Sequence, residues 1–492
     1  MQTEFGRRDD FAPYNDQAFI DGRLLALGRD GARPIIDPAT EAVIGSTGQT
    51  PPSMIEDAVR IANRAQLSWV ATSVDERARV LHAVASAIRD NAESIARLIT
   101  LEMGKPLKES LEELAATAPV FDYFAELARH DQGRVIGPSV SAQLHFVTMQ
   151  AMGVSVHIVP YNYPIQLLAW GVAASLAAGN ATVIKPSEFT TASTLRFAEI
   201  LRALPTGLLQ VLPGGAEVGQ RLVSHPDTHV VAFTGSVAAG KAVAAACAAQ
   251  FKRCTIEASG SDPFIVMPSA ELSSAIEAAT LAAFANCGQV CTAAERFYVH
   301  ESVFDGFVGG LVEMLSTLSI GAGIDGTHLG PLVSAAARER HERLIQEAVS
   351  QGARLAYGGK RPAGLTRGWF VEPTVLVDCQ PHMDLFTEEA FSPLAPIVKV
   401  RSFDEAICLA NASSFGLGAT VFTEDINEAL AASEQLQCGI VSVNAAATDN
   451  PAAPFGGRKL SGTGAQLGPQ GLDAFRVAKQ TMITRRMNGG RS

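Results

Sequence analysis

"GVSVHIVPYNYPIQLLAWGVAASLAAGNATVIKP", residues 153–186, reads as strand, helix, strand, and that reading decides the fold. Its ends, "GVSVHIVP" and "ATVIKP", are short β-rich runs, while "IQLLAWGVAASLAAG" between them is helical. The piece from 165 to 184 is apolar enough to be mistaken for a membrane span. The Gly179-Asn180 pair stops the helix first, leaving it too short to cross a bilayer. The pattern then recurs: "LLQVLPGG", "HVVAFTGS" and "RCTIEASG" alternate with the helical "TASTLRFAEILRAL" and "SVAAGKAVAAACAAQF". Such β-α-β units build an α/β fold around a parallel sheet. Ligands bind such sheets at the carboxyl ends of the strands, where "PYNYP", "KPSE" and "FTGS" fall.

Upstream, the first 125 residues read as helices, with apolar residues at helical spacing over 53–70, 74–104 and 106–130. From 260 onward a second α/β pattern appears, its strands "PFIVM", "RFYVH", "FVEPTVLVD", "APIVKV", "ATVFT" and "GIVSVN". Two segments, "RVIGPSVSAQLHFVTMQ" and "DAFRVAKQTMITRR", have strand character but no place in either layer. Edge strands pairing with another subunit or ordinary hairpins would both account for them.

A chain of 492 residues exceeds one core, which stops growing at about 250–300 residues, so two or more domains are expected. The net charge of −11, from 39 basic and 50 acidic residues, argues against a nucleic-acid surface. The basic clusters "GRR" at 6–8 and "TRRMNGGRS" at 484–492 read as solvated tails. "MQTEFGRRDDFAPYND" lacks the apolar core of a signal peptide. Seven cysteines without framework spacing fit a reducing compartment, so a cytoplasmic protein without membrane attachment is expected.

Cys287 and Cys291 in "NCGQVCTAAERFYVH" lie four apart, too far for a C-x-x-C pair and without the histidines of a zinc site, so no metal is expected. Cys291 falls in a turn between a helix and a strand, a place where functional side chains collect; a free cysteine is also commonly a buried small hydrophobe. Glu257 closes the strand "RCTIE", where a carboxylate can act as general base. Asn162 lies just past the first strand, between two prolines; its amide suits a developing oxyanion, or simply a turn. Lys185 and Glu188 in "VIKPSE" follow a strand end where a ribose would lie, and a carboxylate there accepts ribose hydroxyls and repels a 2′-phosphate. Gly235 and Ser236 in "FTGS" lead into a helix whose first N–H groups can hold a pyrophosphate. "GGAEVG" at 214–219 is the competing glycine-rich stretch, but it is expected to open no clear helix.

Together "PYNYP", "KPSE", "FTGS", the Glu257 segment, "GQVC", "EEAF" at 388–391 and "PFGGRKLSG" at 454–462 resemble the NAD(P)-dependent aldehyde dehydrogenases in order and spacing. The resemblance runs from about residue 20 to the C-terminus. It implies a Rossmann-like cofactor domain from 1–125 and 149–259, a catalytic domain from 260–459, and a small β oligomerisation arm from 126–148 and 470–492, joining a homodimer or homotetramer. It implies Cys291 as nucleophile, Glu257 as base and Asn162 as oxyanion donor. Lys185 and Glu188 would hold the adenosine ribose of NAD, with NADP disfavoured. Gly235 and Ser236 would hold the pyrophosphate, and Pro160, Glu389 and Phe391 would complete the cofactor site. Thiolate attack, hydride transfer to NAD+ and hydrolysis of a thioester would follow. The substrate pocket would comprise Tyr163, Leu167, Trp170, Val290, Thr292 and Phe455, suiting a medium-sized aliphatic or aromatic aldehyde. Relatives that take succinic semialdehyde carry arginines where this chain has Trp170 and Ala285.

The chain departs from the family's pattern at "EASG", at Ser392, and at Gly171 and Gln466, where many relatives carry a Lys–Glu proton relay. Two other readings follow from the same residues. One is a CoA-acylating semialdehyde dehydrogenase, against which Glu257 speaks; the other is a catalytically idle dinucleotide-binding protein.

Overall fold

The computed structural model describes residues 9–29, 31–130, 133–138 and 143–484. Helices are expected over the first 125 residues, but the described residues between 17 and 47 form strands and turns instead. β1 (Gln17–Ile20) pairs with β2 (Arg23–Ala26), and β3 (Arg33–Asp37) with β4 (Ala42–Thr47), both antiparallel. The three expected helices follow as α1 (Pro52–Val70), α2 (Val74–Met103) and α3 (Leu107–His130). Ser73 caps α2 by accepting from the Glu76 N–H, and Gly104 ends it at φ +89°, a conformation glycine adopts without strain.

The two orphan segments form a sheet of their own. β5 (Gly133–Ile136) pairs with β6 (Gln143–Ala151), and β6 pairs on its other side with the C-terminal strand described below. The basic clusters at 6–8 and 485–492 lie outside the described residues.

The decisive stretch folds as read, into β7 (Val154–Ile158), α4 (Gln166–Ala178) and β8 (Ala181–Lys185). α4 is apolar all round, and it is buried all round in the largest core, against α2 and α3. Its stop is Gly179 at φ +100°. Next come α5 (Thr191–Ile200), β9 (Leu209–Val211), α6 (Ala216–Ser224), β10 (Val230–Thr234), α7 (Val237–Ala248) and β11 (Arg253–Glu257). α6 is a second correction: "GGAEVG" does open a helix, with Gly215 as its N-cap. The glycine offers no capping side chain, so the usual signal was missing.

In the second layer β12 (Asp262–Val266), α8 (Leu272–Phe284) and β13 (Ala294–His300) lead to β14 (Arg354–Tyr357), β15 (Thr374–Val377), β16 (Leu394–Val400), β17 (Gly418–Phe422) and β18 (Ile440–Val443). β19 (Gly462–Thr463) and β20 (Arg476–Thr484) close the chain.

The first sheet has the order β19-β11-β10-β7-β8-β9-β1-β2 and the second β14-β15-β16-β13-β12-β17-β18. Strands β11 to β9 run parallel, but β1, β2 and β19 are antiparallel additions, and so is β14 in the second sheet. Both sheets are therefore mixed rather than purely parallel. The third sheet is antiparallel β20-β6-β5, with β20 and β6 in register from Arg476↔Ala151 to Thr484↔Gln143. Among the described residues, no helix is long and apolar enough to cross a membrane.

Candidate active site

Four neighbouring parallel strands, β11, β10, β7 and β8, bring their carboxyl ends to one edge of the first sheet. Glu257 ends β11, Gly235 and Ser236 follow β10, Pro160 and Asn162 follow β7, and Lys185 ends β8 with Glu188 just beyond. Cys291 reaches this edge from the second layer. After α8 the chain makes a short 3-10 turn in which Asn286 and Cys287 adopt left-handed φ of 49° and 56°, and Cys291 follows three residues beyond Gly288.

Two cavities meet at the thiol, both lined by Cys291 and Leu167. The first, about 190 Å³, is bordered by Pro160, Asn162, Gly235, Ser236, Glu389 and Phe391. The second, about 270 Å³, is bordered by Tyr163, Trp170, Val290, Thr292 and Phe455, with Trp170 and Phe455 ring centroids 4.7 Å apart. The expected cofactor and substrate residues thus sort onto opposite sides of one sulfur. Lys185 and Glu188 stand further along the sheet edge.

The thiol and the carboxylate of Glu257 face each other. Burial, then the charge of Glu257, push the Cys291 thiol well above its ordinary range. Burial raises Glu257 to about 7, opposed by the thiol and by Thr234. Its Oε2 accepts from Thr234 Oγ1 at 3.4 Å, whereas Oε1 is buried and accepts from no well-aligned donor. Asn162 is 2 % exposed. Its Nδ2 donates one hydrogen to Gln289 O at 3.0 Å, so one amide hydrogen remains for another acceptor. Cys287 instead packs against Leu332 and Val371 in a small apolar cluster.

The departures from the family pattern have local partners. In "EASG" the departures are Ala258 and Ser259, while Gly260, which keeps the pattern, passes so close to the Cys291 carbonyl that a Cβ there would lie 2.0 Å from its oxygen. Ala258 N–H donates to Ser461 O, and Glu389 Oε1 accepts from Gly260 N–H at 3.0 Å. Ser392 Oγ bonds His341 Nδ1 at 2.9 Å. At Gly171 a Cβ would meet the His157 ring at 2.6 Å, so the imidazole fills the space a longer side chain would need. Gln466 Nε2 donates to Thr234 Oγ1 at 3.3 Å, reaching Glu257 through that hydroxyl.

Other side chains at the site carried no sequence signal. Lys105 and Glu113 form a fully buried ion pair at 2.7 Å. Glu113 Oε1 also accepts from Ile165 and Gln166 N–H, capping α4, and Lys105 lies 3.6 Å from the Tyr163 ring centre. Asp449, in the loop "NAAATDNPAAP", lines the second cavity and accepts from Gln166 Nε2 at 3.0 Å. Burial raises its carboxyl to about 6.

The Aldehyde dehydrogenase family model matches residues 28–481. The chain belongs to the aldehyde dehydrogenase family. This aldehyde dehydrogenase is 37 % identical over 480 residues to a chloroplastic aminoaldehyde dehydrogenase of Arabidopsis thaliana, covering 95 % of this chain and 96 % of the relative. It is 36 % identical over 471 residues to lactaldehyde dehydrogenase of Escherichia coli, covering 94 % and 97 %. The crystal structure of betaine aldehyde dehydrogenase from Staphylococcus aureus with NAD+ superposes with a TM-score of 0.93 at 32 % identity, over 98 % of each chain. The enzyme is an NAD-dependent oxidoreductase of aldehydes. Its residues fit the dinucleotide: Ser236 caps α7 at the sheet edge, and Gly215 leaves beside Glu188 a space that a Cβ would fill.

Proposed function

We propose that Cys291, Glu257 and Asn162 perform aldehyde oxidation to the carboxylic acid by a hydrolytic route. The observation that carries this reading is the meeting of two cavities at Cys291, beside a buried carboxyl raised to about 7 and a buried carboxamide. A neutral thiol is a weak nucleophile, and the end of α8 that precedes it is the negative end, so activation falls to Glu257. Glu257 takes the thiol proton as sulfur attacks the carbonyl carbon. The free Nδ2 hydrogen of Asn162 and the Cys291 backbone N–H steady the oxyanion. NAD+, when bound, supplies the acceptor for the hydride leaving that carbon. Cys291 is then left as a thioester; Glu257, after passing the thiol proton to solvent, takes a proton from the water that attacks the thioester, and the C–S bond breaks to release the acid and the Cys291 sulfur.

For the cofactor, Gly235 and Ser236 would hold the pyrophosphate, Lys185 and Glu188 the adenosine ribose, and Pro160, Glu389 and Phe391 the nicotinamide half. Tyr163, Leu167, Trp170, Val290, Thr292 and Phe455 would hold a medium-sized aliphatic or aromatic aldehyde, which a cavity of about 270 Å³ supports. The cofactor domain would comprise 1–125 and 149–259, the catalytic domain 260–459, and the arm 126–148 and 470–492. The third sheet supports a dimer or dimer of dimers, since Val135, Leu144, Met482 and Ile483 leave apolar surface exposed on it. A cytoplasmic location fits seven free cysteines. The test is an aldehyde panel with NAD+. NADH should form without CoA and vanish with Cys291→Ala; NADH appearing only with CoA refutes the hydrolytic route.

A further inference from the structure

Glu188 does not stand alone at its strand end. Its Oε1 is 2.8 Å from Nη1 of Arg33, an ion pair that joins the end of β8 to β3 of the N-terminal hairpin. Gly215, the N-cap of α6, adjoins the same carboxylate. A Cβ at 215 would lie 3.4 Å from Glu188 Oε1 and 3.9 Å from Arg33 Nη2, and the Gly215 N–H donates to Gln49 Oε1 at 3.0 Å. As the N-cap of α6, Gly215 offers no capping side chain of its own. Lys185 completes the group, and its ionisation responds to burial first, then to Glu188 and Arg33 in opposite senses. One cation therefore pairs with the carboxylate, and a second stands three residues before it at the strand end.

That count changes what Glu188 can exclude. A bare carboxylate beside the adenosine ribose repels a 2′-phosphate, but a carboxylate paired with a guanidinium presents almost no net charge. Arg33 keeps 65 % of its side chain exposed, against 29 % for Glu188, so it is the partner free to swing. The guanidinium carries five N–H donors, and its planar fork matches phosphate oxygens two at a time. Lys185 adds a second positive charge on the same strand end.

We propose that Arg33 is a cofactor-specificity residue: it neutralises Glu188 and offers its fork to a 2′-phosphate, so that this enzyme binds NADP+ as well as NAD+. The proposal rests on the reading that Lys185 and Glu188 hold the adenosine ribose. With NAD+, Glu188 Oε2 takes the ribose hydroxyl while Arg33 holds Oε1. With NADP+, Arg33 turns to the phosphate and the carboxylate retreats.

The test is fluorescence titration of the purified enzyme with NADPH and NADH in the absence of aldehyde, for the unmodified protein, Arg33→Ala, Arg33→Lys and Glu188→Gln. Unmodified protein should bind NADPH with a Kd within about tenfold of that for NADH. Arg33→Ala should raise the NADPH-to-NADH Kd ratio about tenfold, Arg33→Lys should raise it less, and added salt should weaken NADPH more than NADH. No detectable NADPH binding, or a ratio unmoved by Arg33→Ala, overturns the proposal. Glu188→Gln should change NADH affinity. If it does not, the ribose lies elsewhere and the underlying reading fails, whatever Arg33 does.

Discussion

Replacing Glu257 by glutamine should stop turnover and stabilise the protein at the same time, because one buried carboxyl causes both effects. Folding raises this group from 4.5 to about 7, chiefly by burial. Between those values the native state keeps a proton that the unfolded chain has lost, so stability falls as pH rises through the window. The contribution is intact below about pH 4.5 and gone above about pH 7; the shift corresponds to about 3 kcal/mol. Glutamine has the same shape and never ionises. The variant should therefore match the parent near pH 4 and exceed it at pH 8.5, with a Tm higher by about 3 °C. In catalysis, loss of the base should lower the steady-state rate about 10²–10⁴-fold. Thermal melts at both pH values and NADH release under steady state measure the two effects. A Tm difference that does not depend on pH, or turnover at the parental rate, would refute the reasoning.

Asn162→Ala should lower kcat by about 10²–10³ while leaving NADH binding in place, since it removes an oxyanion donor; a titration beside a rate measurement checks this. Gly260→Ala places a Cβ 2.0 Å from the Cys291 carbonyl oxygen, so the loop must shift the nucleophile. A loss of about tenfold or more in kcat is expected. Glu113→Gln leaves Lys105 buried without its counter-charge and should cost about 3–5 kcal/mol in thermal or urea unfolding, with part of the loss recovered by adding Lys105→Met.

The β-α-β core was legible because its strands are apolar runs bounded by glycine and proline, and its helices end at visible stops such as Gly179. The N-terminal hairpins were not. Each strand there is four to six residues long, too short for its alternation to compete with the strong helical periodicity that follows. Missing β3 meant missing Arg33 beside Glu188. The proposed catalytic trio could be assembled from motifs, since each member sits at a strand end or turn with its own local signature. The Lys105–Glu113 pair could not, because eight residues along the chain give no hint that both charges point inward. Nor could Asp449, one acidic residue in an irregular loop. Its aim into the second cavity depends on Gln166, which lies 283 residues away in sequence.

The central claim is that Cys291, activated by Glu257, bonds covalently to the substrate carbon. Intact and peptide mass spectrometry of the parent enzyme, acid-quenched during turnover of NAD+ and an aldehyde that it oxidises, tests this directly. The account predicts an added acyl group on the peptide containing Cys291, absent when NAD+ is left out. An unmodified protein, or an acyl group on Cys287 or any other residue, would contradict it.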